Sequence, residues 1–222
     1  MIEYACKNTV LKVLRMEVLS NINIIFYLVA YIVGSIPFGY ILAKIFADVD
    51  IKNEGSGNIG ATNVLRVLKK HNPKMAKKLG AATLLLDAAK GAVVILAAKF
   101  FGIGNEVLWT IAILAVWGHC FSVFMNFEGG KGVATGLGVF AIMLPVSALL
   151  ALIVWFVAAK TIKISSLSST VALVALVALS YLIYPDTHGL GTHAPIWIIA
   201  LTVIYKHIPN YVRLLQKEEI PV

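Results

Sequence analysis

The stretch VATGLGVFAIMLPVSALLALIVWFVAA, residues 133–159, decides the fold. It is apolar throughout, and an apolar run of about 20 residues can cross the hydrocarbon core of a bilayer as a helix. Pro145 interrupts the run, and a proline inside a helix removes a backbone hydrogen bond and kinks or breaks the helix. Counted as one helix, the stretch brings the chain to six spans, and broken at Pro145 it brings the chain to seven.

Five other apolar runs flank this stretch, at residues 22–46, 79–101, 107–127, 167–184 and 194–208. Hydrophobic residues make up 59% of the chain and charged residues 14%. Soluble domains contain about 45–50% apolar and about 25% charged residues, so the composition excludes an ordinary cytosolic fold. The sequence predicts an all-α integral membrane protein with a single membrane-embedded domain over residues 1–222.

Basic residues decide between six and seven segments, because they concentrate in cytoplasmic loops. The linker near residue 160 and the C-terminal tail are also basic. They lie on the same side of the membrane as the other basic loops only when residues 133–144 and residues 145–160 each cross, or partly cross, the membrane. We therefore predict a bundle of seven transmembrane segments, two of them short and broken near Pro145, with the N-terminus outside and the C-terminus inside. The basic residues assigned to the inside are Lys44, Lys52, Arg66, Lys69, Lys70, Lys74, Lys77, Lys78, Lys131, Lys160, Lys163, Lys206, Arg213 and Lys217.

The N-terminal segment, residues 1–15, fits this topology badly, because it places Lys7, Lys12 and Arg15 outside. Two interpretations remain open. Either the segment is an interfacial amphipathic helix, or the natural chain begins at Met16. The second interpretation predicts that residues 1–15 are a dispensable extension.

The segment GSGNIGATNVLR, residues 55–66, is the first candidate for a binding site. Its glycines allow successive backbone N–H groups to be exposed, and such a nest binds anions, phosphate above all. The guanidinium of Arg66 can donate two parallel hydrogen bonds to oxygens of the same phosphate. The alternative is a flexible loop between helices. The candidate residues here are Ser56, Gly57, Asn58, Thr62, Asn63 and Arg66.

The segment FEGGKGVATG, residues 127–136, is the second candidate. Gly129, Gly130 and Gly132 surround Lys131, and a helix is predicted to begin just after them. A helix N-terminus with open amides and a lysine makes an anion site. The segment is not a Walker A loop, because the first glycine and the Ser or Thr after the lysine are missing. The alternative is a glycine-rich helix break with a snorkelling lysine.

Polar residues near the C-terminus form a third candidate. His207, Asn210 and Arg213 recur at a spacing that places them on one helical face, although a solvated helix end would show the same pattern. A group of serines at another predicted loop could cap a helix or bind substrate. These serines are Ser165, Ser166, Ser168 and Ser169.

Two ionisable residues, Asp87 and Lys90, lie one turn apart inside an apolar run. Such residues are costly in a membrane and tend to pair or to face a cavity, so we expect an ion pair that is structural or supports a site. His119, at the end of the third run, is expected to be a hydrogen-bonded structural histidine. No cluster of residues has metal-ligand spacing, and the sequence predicts no metal and no cofactor.

The motifs together resemble those of the bacterial acyl-phosphate:glycerol-3-phosphate acyltransferase family. The resemblance covers residues 29–219 and rests on GSIPFG at 34–39, the 55–66 loop, the GGKGVAT turn and the tail pattern HxxNxxRL, in this order and spacing. It implies a seven-helix membrane enzyme of phospholipid biosynthesis, with its active site on the cytoplasmic face of the inner membrane. The implied reaction transfers a fatty acyl group from acyl phosphate to sn-glycerol 3-phosphate and gives lysophosphatidate and inorganic phosphate. Expected partners are the two substrates and the bilayer, with no nucleic acid; the oligomeric state stays open.

The resemblance also implies roles for individual residues. Ser56, Arg66, His207 and Asn210 are predicted to be catalytic, and Glu219 is expected to be structural. Together with the loop interpretation, it predicts that substrate is bound by Gly57, Asn58, Thr62, Asn63, Gly129, Gly130, Lys131, Gly132, Ser168 and Ser169.

The alternative function is a transporter of phosphorylated small metabolites that uses the same basic loops. A transporter needs access from both faces, whereas every anion-binding motif here maps to one side. For the acyltransferase, we expect no side chain to act as an obligatory base. Ser56, His207 and Asn210 would orient the nucleophile, and the departing phosphate would accept its proton.

Overall fold

The computed structural model describes residues 21–70 and 72–219. Within these residues the regular structure is helical and no strand occurs. Segment 1–15, for which we predict a dispensable extension, lies outside them. In chain order the α-helices are α1 Ile22–Ser35, α2 Phe38–Ala47, α3 Ala61–Lys69, α4 Pro73–Phe100, α5 Asn105–Cys120, α6 Val133–Met143, α7 Pro145–Ile162, α8 Ser165–Ile183 and α9 Ala194–Leu215, with one 3₁₀ turn at Val123–Met125.

Most of these helices are membrane segments. Five stretches of the described chain are long and apolar enough to cross a bilayer: Ile22–Ala47, Pro73–Phe100, Asn105–Met125, Pro145–Ile162 and Ser165–Ile183. The apolar α6 is shorter, and the 22 residues of α9 become polar in their second half. The all-helical, multi-pass membrane fold is therefore confirmed, and the count of seven segments is approximate because α6 and α9 do not reach the same length and hydropathy.

The helix break near Pro145 lies at the predicted position, but the helix that follows it is longer than predicted. α6 ends at Met143, and Pro145 is the first residue of α7, a position where a proline costs no hydrogen bond. α6 is short, with 11 residues, or about 16 Å. α7 is longer than predicted, because it continues past Lys160 to Ile162 and reaches 18 residues, or about 27 Å.

The first membrane segment is also broken, which the sequence analysis did not predict. α1 ends at Ser35 and α2 begins at Phe38, so that Ile36 and Pro37 interrupt the helix. The carbonyl oxygen of Ile36 accepts a hydrogen bond from Nζ of Lys90 at 2.7 Å. Irregular backbone at membrane depth needs such a protein partner.

Lys90 also confirms the predicted ion pair. Its Nζ lies 2.8 Å from Oδ1 of Asp87, and both side chains are almost fully buried. The imidazole of His119 lies next to them, with Nδ1 at 3.7 Å from the same oxygen. The pair is thus part of a buried polar cluster that connects α4 to the helix break after α1.

α5 lies at the centre of the bundle and packs closely against α1. At Gly34 and Gly118 a β-carbon would collide with the backbone carbonyls of Ala115 and Tyr31 on the opposite helix, so both contacts require glycine. The loops that follow α2 and α5 therefore meet at one end of the bundle, where Nζ of Lys52 donates to Glu128 at 3.1 Å. We call this end, with loops 48–60 and 121–132, the α7–α8 turn and the C-terminal half of α9, the basic end.

Candidate functional site

A cavity of about 480 Å³ opens at the basic end and extends into the bundle between α4, α6, α7, α8 and α9. Its outer half is polar and its inner half is apolar. The polar residues on its wall are Ser56, Asn58, Thr62, Asn63, Arg66, Asp87, His119, Lys131, Ser165, Ser166, Ser169, His207, Asn210 and Glu219. The apolar wall contains Leu84, Leu85, Leu137, Phe140, Leu152, Trp155, Phe156, Leu173, Leu176, Ile199 and Val203.

Asn63 holds the loop before α3 in place. Its Nδ2 donates to the carbonyl oxygens of Ile51 at 3.0 Å and Glu54 at 3.1 Å, and its Oδ1 accepts from the N–H of Ser56 at 2.8 Å. Gly55 has φ of +63° and passes so close to Asn63 that a β-carbon would collide with Oδ1. Asn63 was predicted to bind substrate, and it lies on the cavity wall; three of the four hydrogen-bonding positions of its amide are used within the protein, where they position Ser56.

The loop amides differ from the predicted open nest. The N–H of Gly57 donates to the carbonyl of Glu54 at 3.1 Å, and the N–H of Gly60 donates to Oδ1 of Asn58 at 2.9 Å. The first N–H groups of a helix, in contrast, have no intrahelical acceptor. In this loop those groups belong to Ala61 and Thr62, which line the cavity. The N-terminus of α3 therefore presents open amides at the cavity wall.

Arg66 lies one turn after Thr62 on α3 and also faces the cavity. Burial lowers the pKa of the Arg66 guanidinium, an effect that Glu219 opposes and Arg213 increases. Arginine nevertheless remains protonated in proteins. Arg66 thus places a permanent positive charge beside the helix N-terminus.

The glycine turn after α5 is closed by backbone hydrogen bonds. The N–H groups of Gly129 and Gly130 donate to the carbonyls of Cys120 at 3.1 Å and His119 at 2.9 Å. Their amides are therefore not available for the predicted anion binding. The sequence indicated a helix N-terminus here, and Gly132, with φ of +83°, does precede α6 directly. Hence the turn contributes Lys131 and Gly132 to the cavity wall.

Lys131 has a strongly cationic environment. Burial, the largest cause, lowers the pKa of Lys131 to about 8. Glu219 opposes this shift, whereas Arg213, Arg66 and Lys206 lower the pKa further. A negative charge beside Lys131 would favour its charged form and raise this pKa again.

Glu219 connects the polar residues of α8 and α9. Its Oε1 accepts from Nδ2 of Asn210 at 2.6 Å and from Oγ of Ser166 at 3.1 Å, and its Oε2 accepts from Nε of Arg213 at 3.0 Å. Burial raises the pKa of the Glu219 carboxyl, but the three hydrogen bonds outweigh this effect and lower it. Glu219 therefore stays ionised and fixes the side chains around it, in agreement with the expected structural role.

Asn210 and His207 line the cavity, and each has one side-chain acceptor that forms no hydrogen bond among the described residues. Oδ1 of Asn210 is buried and has no hydrogen-bond partner among the described residues. Nδ1 of His207 lies 2.8 Å from the carbonyl oxygen of Val203. A carbonyl only accepts, so Nδ1 carries the proton, and Nε2 of the neutral ring is an acceptor. Both residues thus offer an acceptor to a substrate hydroxyl.

The serines of α8 divide into two groups. Ser165, Ser166 and Ser169 line the cavity, and Oγ of Ser169 accepts from the indole N–H of Trp155 at 3.1 Å. Ser168 was predicted to bind substrate, but its hydroxyl donates to the carbonyl of Ile164 at 2.8 Å and faces the protein interior. One residue corresponds to about 100° of rotation around a helix, which separates Ser168 from its neighbours.

The structure thus brings most of the predicted residues together. Those on the cavity wall are Ser56, Asn58, Thr62, Asn63, Arg66, Lys131, Gly132, Ser169, His207 and Asn210. Gly57, Gly129, Gly130 and Ser168 do not line the cavity. Sequence reasoning gave no substrate role to Glu219 and selected Ser168 rather than Ser166. The signal for Ser166 was present, because Ser166, Ser169 and Leu173 share one helical face.

Comparison with known proteins gives a consistent result. A family model described as "Glycerol-3-phosphate acyltransferase" matches residues 24–217. The chain is 58% identical over 204 residues to a protein of that name from Wolinella succinogenes, covering 92% of this chain and 98% of that protein. A protein of the same name from Aliarcobacter butzleri is 56% identical with the same coverage.

Two solved structures are similar over nearly the whole chain. One is a crystal structure of PlsY, described as an integral membrane glycerol 3-phosphate acyltransferase, in its glycerol 3-phosphate form. Its TM-score is 0.80 at 35% identity, covering 90% of this chain and 95% of that chain. The other is the lysophosphatidic acid form of the same protein, with a TM-score of 0.78 and 35% identity over 90% of this chain and 94% of that chain.

Proposed function

The chain belongs to the glycerol-3-phosphate acyltransferase family, and we propose that it transfers a fatty acyl group from acyl phosphate to sn-glycerol 3-phosphate. The products are lysophosphatidate and inorganic phosphate, as required in phospholipid biosynthesis. The observation that carries this proposal is the shape of the cavity, in which a cationic polar half continues into an apolar half. An acyl phosphate has the same division into a phosphate and a hydrocarbon chain.

Arg66, Lys131 and the N-terminus of α3 hold the phosphate groups. Both substrates carry a phosphate, so two anions must lie close together in one polar compartment. Charge-assisted hydrogen bonds are the strongest available means to neutralise their repulsion. The surroundings of Lys131 support this assignment, because burial is the largest cause of its lowered pKa and the nearby cations Arg213, Arg66 and Lys206 lower it further.

The reaction needs one new bond and one broken bond. A primary hydroxyl of glycerol 3-phosphate attacks the acyl carbon, and the bond from that carbon to the bridging phosphate oxygen breaks. Arg66 and Lys131 stabilise the charge that develops on the leaving phosphate. Because acyl phosphate is already activated, positioning of the two substrates supplies much of the rate.

The hydroxyl proton passes to the departing phosphate. Nε2 of His207 and Oδ1 of Asn210 orient the attacking hydroxyl as acceptors, and Ser56 lies on the same wall. No side chain is then required as an obligatory base. Two carboxylates line the cavity. Glu219 accepts three hydrogen bonds and holds Asn210 rather than a substrate, and Asp87 is paired with Lys90.

The basic end faces the cytoplasm in this proposal, with the protein in the inner membrane of a bacterium. The positive-inside rule supports the orientation, and sn-glycerol 3-phosphate reaches the polar half from water. A transporter of phosphorylated metabolites would need an anion path to the other face. The inner half of the cavity is lined instead by apolar side chains such as Phe140, Leu176 and Ile199.

A product assay tests the proposal. The purified full-length chain in phosphatidylcholine vesicles is given labelled glycerol 3-phosphate with either palmitoyl phosphate or palmitoyl-CoA. We expect lysophosphatidate with palmitoyl phosphate but not with palmitoyl-CoA as donor, and roughly tenfold to a hundredfold slower formation by an Arg66→Ala variant. Equal or better use of palmitoyl-CoA would overturn the choice of donor, and uptake of the label without product would favour the transporter.

A further inference from the structure

The cavity opens to lipid along one side of the bundle. Leu84 and Leu85 on α4 and Phe156 on α7 line the cavity. They are also 47%, 68% and 55% exposed, respectively, at the protein surface. Because apolar side chains exposed on membrane helices contact hydrocarbon, these three residues border an opening between α4 and α7. We call it the lateral opening.

The packing of the short helix explains why this opening exists. α4 and α7 both pack against α6 but make hardly any contact with each other. α6 lies behind the gap, where Leu137 and Phe140 form the rear wall of the cavity. A helix of 11 residues covers only about half of the hydrocarbon thickness. The lateral opening is therefore a consequence of the break before Pro145.

Lysines border the lateral opening at the basic end. Lys77 and Lys78 lie two helical turns before Leu84 and Leu85, and Lys160 lies one turn after Phe156. Lys77 therefore shares a helical face with Leu84, Lys78 with Leu85, and Lys160 with Phe156. All three lysines are exposed. In the part of the chain that the structure describes, no acidic side chain forms an ion pair with any of them.

We propose that the lateral opening is the route by which single-chain anionic amphiphiles enter and leave the cavity from the lipid leaflet. The phosphate group of the amphiphile passes along Lys77, Lys78 and Lys160, while its hydrocarbon chain passes along Leu84, Leu85 and Phe156. The acyl phosphate enters and lysophosphatidate leaves without exposing the chain to water, which would be costly for every methylene. The inference rests on the proposed function, which supplies the two amphiphiles.

Charge variants test the role of the lysines. Lys78→Gln/Lys160→Gln removes one charge from each side of the opening, and Lys69→Gln/Lys70→Gln removes two exposed charges from the end of α3 as a matched control. The KM for acyl phosphate is measured in phosphatidylcholine vesicles as a mole fraction of lipid. It should rise about fivefold for each lysine that is removed from the border of the lateral opening. The kcat and the KM for glycerol 3-phosphate should not change. The proposal would be overturned if the two double variants changed the KM for acyl phosphate equally, or if Lys78→Gln/Lys160→Gln did not change it.

A crosslinking experiment tests the route independently of turnover. Benzoylphenylalanine at Phe156 or at Val157 is irradiated in vesicles that contain labelled palmitoyl phosphate. Val157 is the matched control, because it is 59% exposed on the same helix and does not line the cavity. We expect crosslinks at position 156 that unlabelled palmitoyl phosphate competes away, and only a weak, non-saturable signal at position 157.

The outcomes separate the two proposals. Product formation by the unmodified chain without saturable crosslinking at position 156 would overturn the lateral route and leave the proposed function intact. Saturable crosslinking without lysophosphatidate formation would contradict the proposed function alone. Equal crosslinking of labelled phosphatidylcholine, without competition by palmitoyl phosphate, would identify an ordinary lipid contact and would also overturn the lateral route.

Discussion

The side-chain oxygen of Asn63 accepts a hydrogen bond from the backbone N–H of Ser56 at 2.8 Å. The nitrogen of the same amide donates to Ile51 and Glu54, so that one buried side chain ties the loop to α3. Ser56 from the loop and Arg66 from α3 are thereby held in a fixed relation. The order of the binding site thus depends on a residue whose amide forms three hydrogen bonds within the protein.

Asn63→Leu, a change of similar size, should lower both stability and activity. It removes three hydrogen bonds, each with a net contribution of about 0.5–1.5 kcal/mol, and releases Ser56 from its position. Thermal unfolding and kcat/KM measure the two effects. Asn53→Ala is the control, because Asn53 is exposed and its side chain bonds only Asp50 among the described residues. Unchanged values for Asn63→Leu would contradict the positioning role.

Arg66→Ala and Lys131→Ala should each reduce kcat/KM while the protein stays folded in the membrane. The loss of a charged hydrogen-bond partner typically costs about 1.5–3 kcal/mol, or roughly tenfold to a hundredfold. Lys69→Ala, one turn further on α3 and exposed, serves as the control. Near-normal turnover by both site variants would rule out a direct role in phosphate binding.

The pH dependence of kcat/KM should report Lys131. Its pKa of about 8 means that the free enzyme loses this positive charge as the pH rises through that value, so kcat/KM for glycerol 3-phosphate should fall there. In Lys131→Arg the guanidinium keeps its charge, and the fall should disappear. A wild-type profile that stays flat to pH 9 would show that the lysine charge is not required.

His207→Gln should retain activity within about tenfold, because a group that only orients the hydroxyl does less than a general base, which contributes about 10²–10⁴-fold. The Gln amide can reach the position of Nε2 and accept the same hydrogen bond. Initial rates with both substrates saturating measure the effect. A fall of about a thousandfold, partly rescued by added imidazole, would identify His207 as the base.

The orientation of the bundle can be tested by labelling. In a Cys6→Ser/Cys120→Ala background, Lys70→Cys should react with an impermeant maleimide only after the cells are opened. Asp186→Cys, exposed at the other end of the bundle, should react in intact cells. The opposite pattern would place the basic end outside and would contradict the cytoplasmic assignment.

The sequence predicts the membrane segments well, because hydropathy and basic-residue asymmetry are properties of whole stretches. The sequence also indicates the three motifs whose residues line one cavity in the structure. The break at Pro37 is different. A signal for it existed in the proline itself, but the run around it is apolar enough to be counted as one helix.

The differences between the predicted site and the cavity wall arise from contacts that no local pattern encodes. Whether the amides of Gly129 and Gly130 are open depends on the carbonyls of Cys120 and His119, which the fold brings beside them. Likewise, the choice between Ser168 and Ser166 depends on the rotation of α8 against α9. The tail pattern locates Asn210, but only the structure shows that Glu219 holds its amide.

In the proposed reaction the hydroxyl attacks the acyl carbon and not the phosphorus, and the phosphate departs with the bridging oxygen. Palmitoyl phosphate labelled with ¹⁸O at the bridging oxygen tests it, with the label followed by mass spectrometry of both products. We predict that all of the label appears in inorganic phosphate and none in lysophosphatidate. Label in free palmitate or in lysophosphatidate, or released phosphate without label, would contradict the account.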